Sequence, residues 1–171
     1  MRSTGEVMGI DPDLSMALAK ASSAAGRTLP TEGKVFLTVK DADKRSVVMV
    51  ARQLVSLGFS LVATDGTFKV LQRHGLKCER INKVHEGQPH VVDLIKNREV
   101  TLIINTPLGK VTRHDDGMIR SESYQAYIPC LTTMSAAMAA VEGIQALKLD
   151  AGEVCPLQEH YAKQTDLAPA S

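Results

Sequence analysis

Short apolar runs alternate along this chain with stretches whose apolar positions recur every three or four residues. Val35, Phe36, Leu37 and Val39 make the first run, and residues 59–62, 78–81, 100–104 and 128–131 make four more. Such brief runs predict buried strands. Between the first two, Val47, Val48, Val50, Ala51, Leu54 and Val55 fall at helical spacing, with Asp43 as the expected cap and Gly58 as the stop. Residues 67–74, ended by Gly75, and residues 90–97 predict shorter helices. Residues 116–127 are ambiguous and are read as a helix across 119–127. Thr132 or Thr133 opens an alanine-rich helix to about Leu147. Strand and helix in alternation predict an α/β fold of three layers around a central parallel sheet of about five strands. Residues 100–104, the most apolar run, are expected at its centre.

The first 32 residues do not read as the start of that module. Asp11-Pro12-Asp13 opens a helix, with Asp11 as N-cap and Pro12 at the first helical position. Leu14, Ala17, Leu18 and Ala21 form its apolar stripe, Gly26 ends it, and residues 27–33 read as a linker. A lone helix ahead of a linker needs a surface to pack on, and the expectation is that this surface lies outside the chain. The division is therefore 1–32 as helix and linker, 33–147 as the α/β domain, and 148–171 as a frayed tail ending in Ala168-Pro169-Ala170-Ser171.

Composition narrows the function. With 171 residues the chain can bury a real core, and its formal net charge of +1 comes from signs spread along the sequence. Neither a basic block nor an abundance of aromatics is present, which argues against nucleic acid and membrane surfaces. Cys78, Cys130 and Cys155 are odd in number and lack the C-x-x-C spacing, so reduced thiols are expected rather than disulfides or zinc. The opening residues show no signal-peptide core and no apolar run approaches a bilayer span, so a cytoplasmic protein is expected.

The chemistry lies in polar loops that follow the apolar runs. In a parallel sheet these loops open on one edge, where ligands bind. Thr64-Asp65-Gly66-Thr67 offers hydroxyls and the free amides of a helix start, an anion seat that Gly66 lets a ligand approach. A helix cap with a turn glycine explains the same residues. Asn82-Lys83-Val84-His85-Glu86-Gly87 supplies a cation in Lys83, while His85 and His90 either act as ligands or bases or shape the turn. Asn105-Thr106 can give an amide and a hydroxyl, and Lys110, Arg113 and His114 follow as a basic rim or a solvated loop. Lys44, in the first turn of its helix, opposes the helix dipole unless an anion sits beside it. No dinucleotide or nucleoside-triphosphate fingerprint occurs.

At these residues a resemblance emerges. Asp43-Lys44-Arg45, Ala63-Thr64-Asp65-Gly66-Thr67, Asn82-Lys83-Val84-His85-Glu86-Gly87 and Ile103-Ile104-Asn105-Thr106 resemble the methylglyoxal-synthase-like domain that closes the large subunit of carbamoyl phosphate synthetases. Residues 2–9 are similar to the end of the preceding ATP-grasp unit in that family. The resemblance covers residues 1–147 and implies a Rossmann-like regulatory domain that binds UMP or IMP, with ornithine at the junction with the ATP-grasp part. By position it implies a phosphate at Lys44, Thr64, Gly66 and Thr67 with Thr38 nearby. Lys83, Asn105 and Thr106 would serve phosphate or ribose, and Thr132 would lie near ornithine. Pro107 departs from relatives that carry a hydroxyl there. Lys83 stands where forms that answer to N-acetylglutamate carry Trp, which favours a nucleotide.

The same resemblance implies partners: the rest of the large subunit, through it the glutaminase small subunit, and homo-oligomer contacts. The parent enzyme would use ATP with Mg or Mn to make carbamoyl phosphate from glutamine and bicarbonate, for pyrimidines and arginine. This chain, lacking that machinery, is expected to need no cofactor and to be non-catalytic. Two other readings stay open. One is a methylglyoxal synthase acting on dihydroxyacetone phosphate, for which Asp65 is the nearest carboxylate base. The other is a docking or oligomerisation module.

Overall fold

The computed structural model describes residues 2–3, 6–107 and 113–149, with side chains described for 6–107 and 115–149. The expectations for residues 108–112, the side chains of Arg113 and His114, Cys155 and the tail beyond 149 lie outside the described residues. At the start, β1 (Arg2–Ser3) and β2 (Glu6–Val7) pair antiparallel. Helix α1 (Leu14–Ala24) follows, then β3 (Lys34–Thr38), α2 (Lys44–Ser56), β4 (Ser60–Thr64) and α3 (Asp65–Arg73). Next come β5 (Glu79–Ile81), α4 (Val91–Lys96), β6 (Leu102–Asn105), α5 (Arg113–Gln125), β7 (Cys130–Leu131) and α6 (Met134–Leu149).

The five strands β3 to β7 form one sheet in the order β5-β4-β3-β6-β7, parallel throughout. The centre is β3, whose Val35, Phe36 and Leu37 are fully buried, and not the 100–104 run as expected. Both strands have neighbours on each side, so apolar content alone cannot rank them.

Side chains alternate across the sheet with the strand period of two. Val35, Leu37, Leu61, Ala63, Leu102 and Ile104 face one cluster with Leu54, Leu71, Val141 and Ile144, so α1, α2, α3 and α6 cover that face. Phe36, Val62 and Ile103 face the other way, onto Val91, Val92, Ile95 and Ile119 of α4 and α5. That makes three layers.

Several local expectations are corrected. In α1, Asp13 is the N-cap, accepting from Met16 N at 2.9 Å, while Asp11 is drawn onto Lys20 at 2.7 Å. The buried positions of α1 are Met16 and Ala19, and Leu14 is exposed. Its partner lies within the chain: α1 packs on α6, where a Cβ added to Gly143 would stand 2.9 Å from Ser15 O and 3.7 Å from Ala19 Cβ. The absent side chain at Gly143 lets the two backbones approach. In α2, Val55 is exposed, and Asp43 makes no side-chain cap because the chain enters through a 3-10 turn at Asp41–Asp43. Helix α3 begins at Asp65, two residues earlier than expected, and α5 begins at Arg113. Thr133, rather than Thr132, caps α6 by accepting from Ala136 N at 3.2 Å.

Candidate anion-binding site

Parallel strands end on one rim, and here the last residues of three neighbours are polar. Register places Thr38 of β3 beside Asn105 of β6, and Leu37 beside Ala63, which leaves Thr64 of β4 next in line. Thr64 donates its hydroxyl to Thr38 Oγ1 at 3.0 Å. Thr38, as acceptor, keeps its own proton to give. Thr64, Asn105 and Thr106 are buried, so these groups are held rather than solvated. Thr106 accepts from Lys40 N at 3.1 Å and donates its own N–H to Thr38 O, fixing the loop after β3 against the end of β6.

A cavity opens beneath this rim on the α4–α5 side of the sheet. Thr38, Thr64, Lys83, Asn105 and Thr106 line it, together with the apolar Phe36, Val91 and Ile119. Five of the expected site residues thus share one cavity. Lys83 reaches it from the loop after β5, where Glu86 turns back to accept from Lys83 N at 2.9 Å. That loop follows a strand with Ile81 alone buried, so its fixed shape rests on this bond and on the apolar contact of Val84.

The other expected residues sit around the cavity instead of in its wall. Thr67 is almost fully buried and its hydroxyl accepts from Val39 N at 3.2 Å, which ties the first turn of α3 to the loop after β3. Lys44 pairs with Asp41, and its Nζ lies 3.4 Å from the place a Cβ on Gly66 would occupy. The Lys44 hydrogen bond, followed by its charge, holds the Asp41 carboxyl below its ordinary range. Thr132 is exposed beyond β7, apart from the cavity lining.

Two carboxylates complete the cavity, and neither was foreseen. Asp115 and Asp116 enter it from the first turn of α5. Asp116 accepts from Asn105 Nδ2 at 3.1 Å, and Asp115 meets His85 Nδ1 at 2.6 Å. Asp65, expected as the nearest carboxylate, turns outward onto Lys69 at 2.7 Å and Arg80 at 3.1 Å. The hydrogen bond from Lys69 leads the effects that hold its carboxyl low. The cavity therefore brings hydroxyls, an amide and an ammonium group together with two carboxylates from the start of α5, one of them bonded to the Asn105 amide. Such a set suits a ligand that carries an anion at one end and hydroxyl donors at the other.

Among the described residues no group of His, Cys, Asp and Glu is placed to hold a metal ion. No described helix is long and apolar enough to cross a membrane.

The family model for the MGS-like domain matches residues 46–132, just over half of the chain, and the chain belongs to that family. Its relatives include proteins named carbamoyl phosphate synthase large chain. The one from Acidobacterium capsulatum is 48% identical over 162 residues, covering 95% of this chain and 15% of that protein. The one from Mesorhizobium japonicum is 44% identical, covering 95% and 14%, and that from Myxococcus xanthus is 48% identical, covering 94% and 15%. The chain thus spans about 15% of the length of the relatives it matches.

Proposed function

We propose that this chain is an effector-binding segment of a carbamoyl phosphate synthase large chain, and that its ligand is a nucleoside monophosphate such as UMP or IMP. The convergence of Thr38, Thr64, Lys83 and Asn105 on one cavity carries the reading. The phosphate sits at the strand tips, where uncharged hydroxyls and the Lys83 ammonium stabilise a dianion. The ribose hydroxyls face Asp115 and Asp116, which accept. Regulation then follows if the ligand binds one state of the larger enzyme better than another. In this reading residues 1–32 connect to the ATP-grasp part, 33–147 bind the effector, and 148–171 form the tail. The segment itself makes no product. The rest of the large chain, the glutaminase subunit and ornithine near Thr132 are its partners, and the whole enzyme makes carbamoyl phosphate for pyrimidines and arginine in the cytoplasm.

Calorimetric titration of UMP and IMP into the wild-type chain and a Thr38→Val variant, which removes the hydroxyl whose proton is left for the ligand, tests the site. Loss of one hydrogen bond to a charged group costs about 1.5–3 kcal/mol, so binding should weaken at least tenfold. Equal affinity in both proteins would reject the assignment.

Asp115 and Asp116 favour a second reading, a lyase that takes a proton from dihydroxyacetone phosphate and expels its phosphate. Each carboxylate already has a partner, in His85 and Asn105, which suits a binding role better. Methylglyoxal released by the isolated chain from that substrate would decide for the enzyme.

A further inference from the structure

Lys44 and Asp41 are paired outside the cavity lining, beside Gly66 at the start of α3, the helix that follows the cavity residue Thr64. Lys44 Nζ lies 2.5 Å from Asp41 Oδ1, across the junction between the 3-10 turn and α2. The same ammonium rests against the first turn of α3, beside Gly66. The start of a helix carries partial positive charge, so a cation there is unfavourable unless a negative group accompanies it. The acid that α3 carries in its own first turn, Asp65, does not pair with Lys44. Asp65 spends its carboxylate on Lys69 and Arg80, and Thr64, the N-cap, gives its hydroxyl to Thr38 and accepts nothing from the amides of α3. Asp43 faces Lys40 instead, at 3.8 Å. Asp41 is the counter-charge that lets Lys44 stay.

The two partners are held unequally. The Lys44 side chain is 28% exposed, whereas that of Asp41 is 86% exposed. An ion pair with one member so far into solvent is weak, and its carboxylate can turn to water at little cost. The neighbouring rim is the opposite: Thr64 and Thr67 are buried and bonded. The exchangeable member of this corner is therefore Asp41.

We propose that Asp41 is an intramolecular stand-in for the phosphate of the ligand, parking Lys44 at the rim in the ligand-free chain and yielding it when an anion enters. The inference rests on the anion-binding reading above and adds a residue that sets affinity by competition. Asp41 makes no favourable contact with the ligand. Its carboxylate acts through Lys44, so removing it should strengthen binding, the reverse of what removal of a contact residue does.

The test is calorimetric titration of UMP, and separately of inorganic phosphate, into the wild-type chain and four variants: Asp41→Asn, Asp43→Asn, Lys44→Met and the Asp41→Asn/Lys44→Met double variant. Asp41→Asn should tighten UMP binding about two- to fivefold, the range for release of an exposed ion pair. Asp43→Asn should leave it unchanged and Lys44→Met should weaken it. In the Lys44→Met background, Asp41→Asn should add nothing. The gain from Asp41→Asn should also shrink in high salt. Unchanged or weaker binding by Asp41→Asn overturns the proposal, as does equal tightening with and without Lys44, which marks a general charge effect. If the wild-type chain binds neither UMP nor phosphate, the anion-binding reading fails along with it. Binding that ignores Asp41 sinks only the stand-in.

Discussion

The two faces of the sheet are built for different work. On one face four helices, α1, α2, α3 and α6, enclose a continuous apolar cluster that includes Val35, Leu37, Leu54, Leu102 and Ile144. On the other only α4 and α5 cover the sheet, and the smaller cluster around Phe36, Val62 and Ile103 is interrupted at the strand tips by the polar cavity. Under the proposed function the thicker face should lose a side chain and still bind, whereas the thinner face shares Phe36, Val91 and Ile119 with the cavity wall. Polar groups are costly to bury unless bonded, so the cavity lies where fewer apolar contacts must be given up.

The largest effect that could break this contrast is truncation in each face. Leu54→Ala and Ile119→Ala both remove a buried side chain and should destabilise by about 2–5 kcal/mol in urea unfolding. They should part in titrations under native conditions. Leu54→Ala should keep wild-type affinity for UMP, while Ile119→Ala, whose side chain lines the cavity, should lose affinity as well as stability. Equal loss of affinity in both would erase the distinction between the faces.

A smaller effect sharpens it. At Gly143 a Cβ meets Ser15 O at 2.9 Å and Leu29 Cδ1 at 3.3 Å, so Gly143→Val must push α1 away from α6. A cost of about 1–3 kcal/mol is expected for such overpacking, read as a lower Tm with UMP affinity retained. An unchanged Tm would show that the seam between α1 and α6 is slack.

The smallest effect concerns thiols. Burial, reinforced by the neighbouring Glu79 charge, pushes the Cys78 thiol up to about 12, and burial also raises Cys130. At pH 8 very little of Cys78 would be the reactive thiolate. Mass spectrometry after brief iodoacetamide treatment at pH 8 should find both largely unmodified in the folded chain and both alkylated in urea. Rapid labelling of native Cys78 would contradict this burial.

The strand tips were legible in the sequence because two constraints coincide there. A buried strand reads as an apolar run and the polar residues after it fall at the sheet edge, so Thr64 and Asn105 could be located before any coordinates, whereas Thr38, inside the first run, came only from the family resemblance. Asp115 and Asp116 were not found, because α5 has few apolar positions and its beginning carries no periodic signal. The pattern supports a helix only from Ile119, which leaves Asp116 in an ambiguous stretch and Asp115 ahead of it. The stripe of α1 was misread for a different reason. Helices in close contact through Ala19 and Gly143 bury small residues, and those leave little hydrophobic pattern to read. Asp11 and Asp13 were equally good caps by type; the reach of Lys20 to Asp11 decided between them.

Helix α5 joins two places that are distant in sequence. Near its first turn Asp116 accepts from Asn105 in the cavity wall, and near its last turn Tyr124 lies under the guanidinium of Arg27, 4.3 Å from the ring centre. Eight residues of helix separate those contacts, about 12 Å of stiff rod. Under the proposed function, a ligand that shifts Asp116 would act through that rod on the Arg27 contact, in the segment that follows α1.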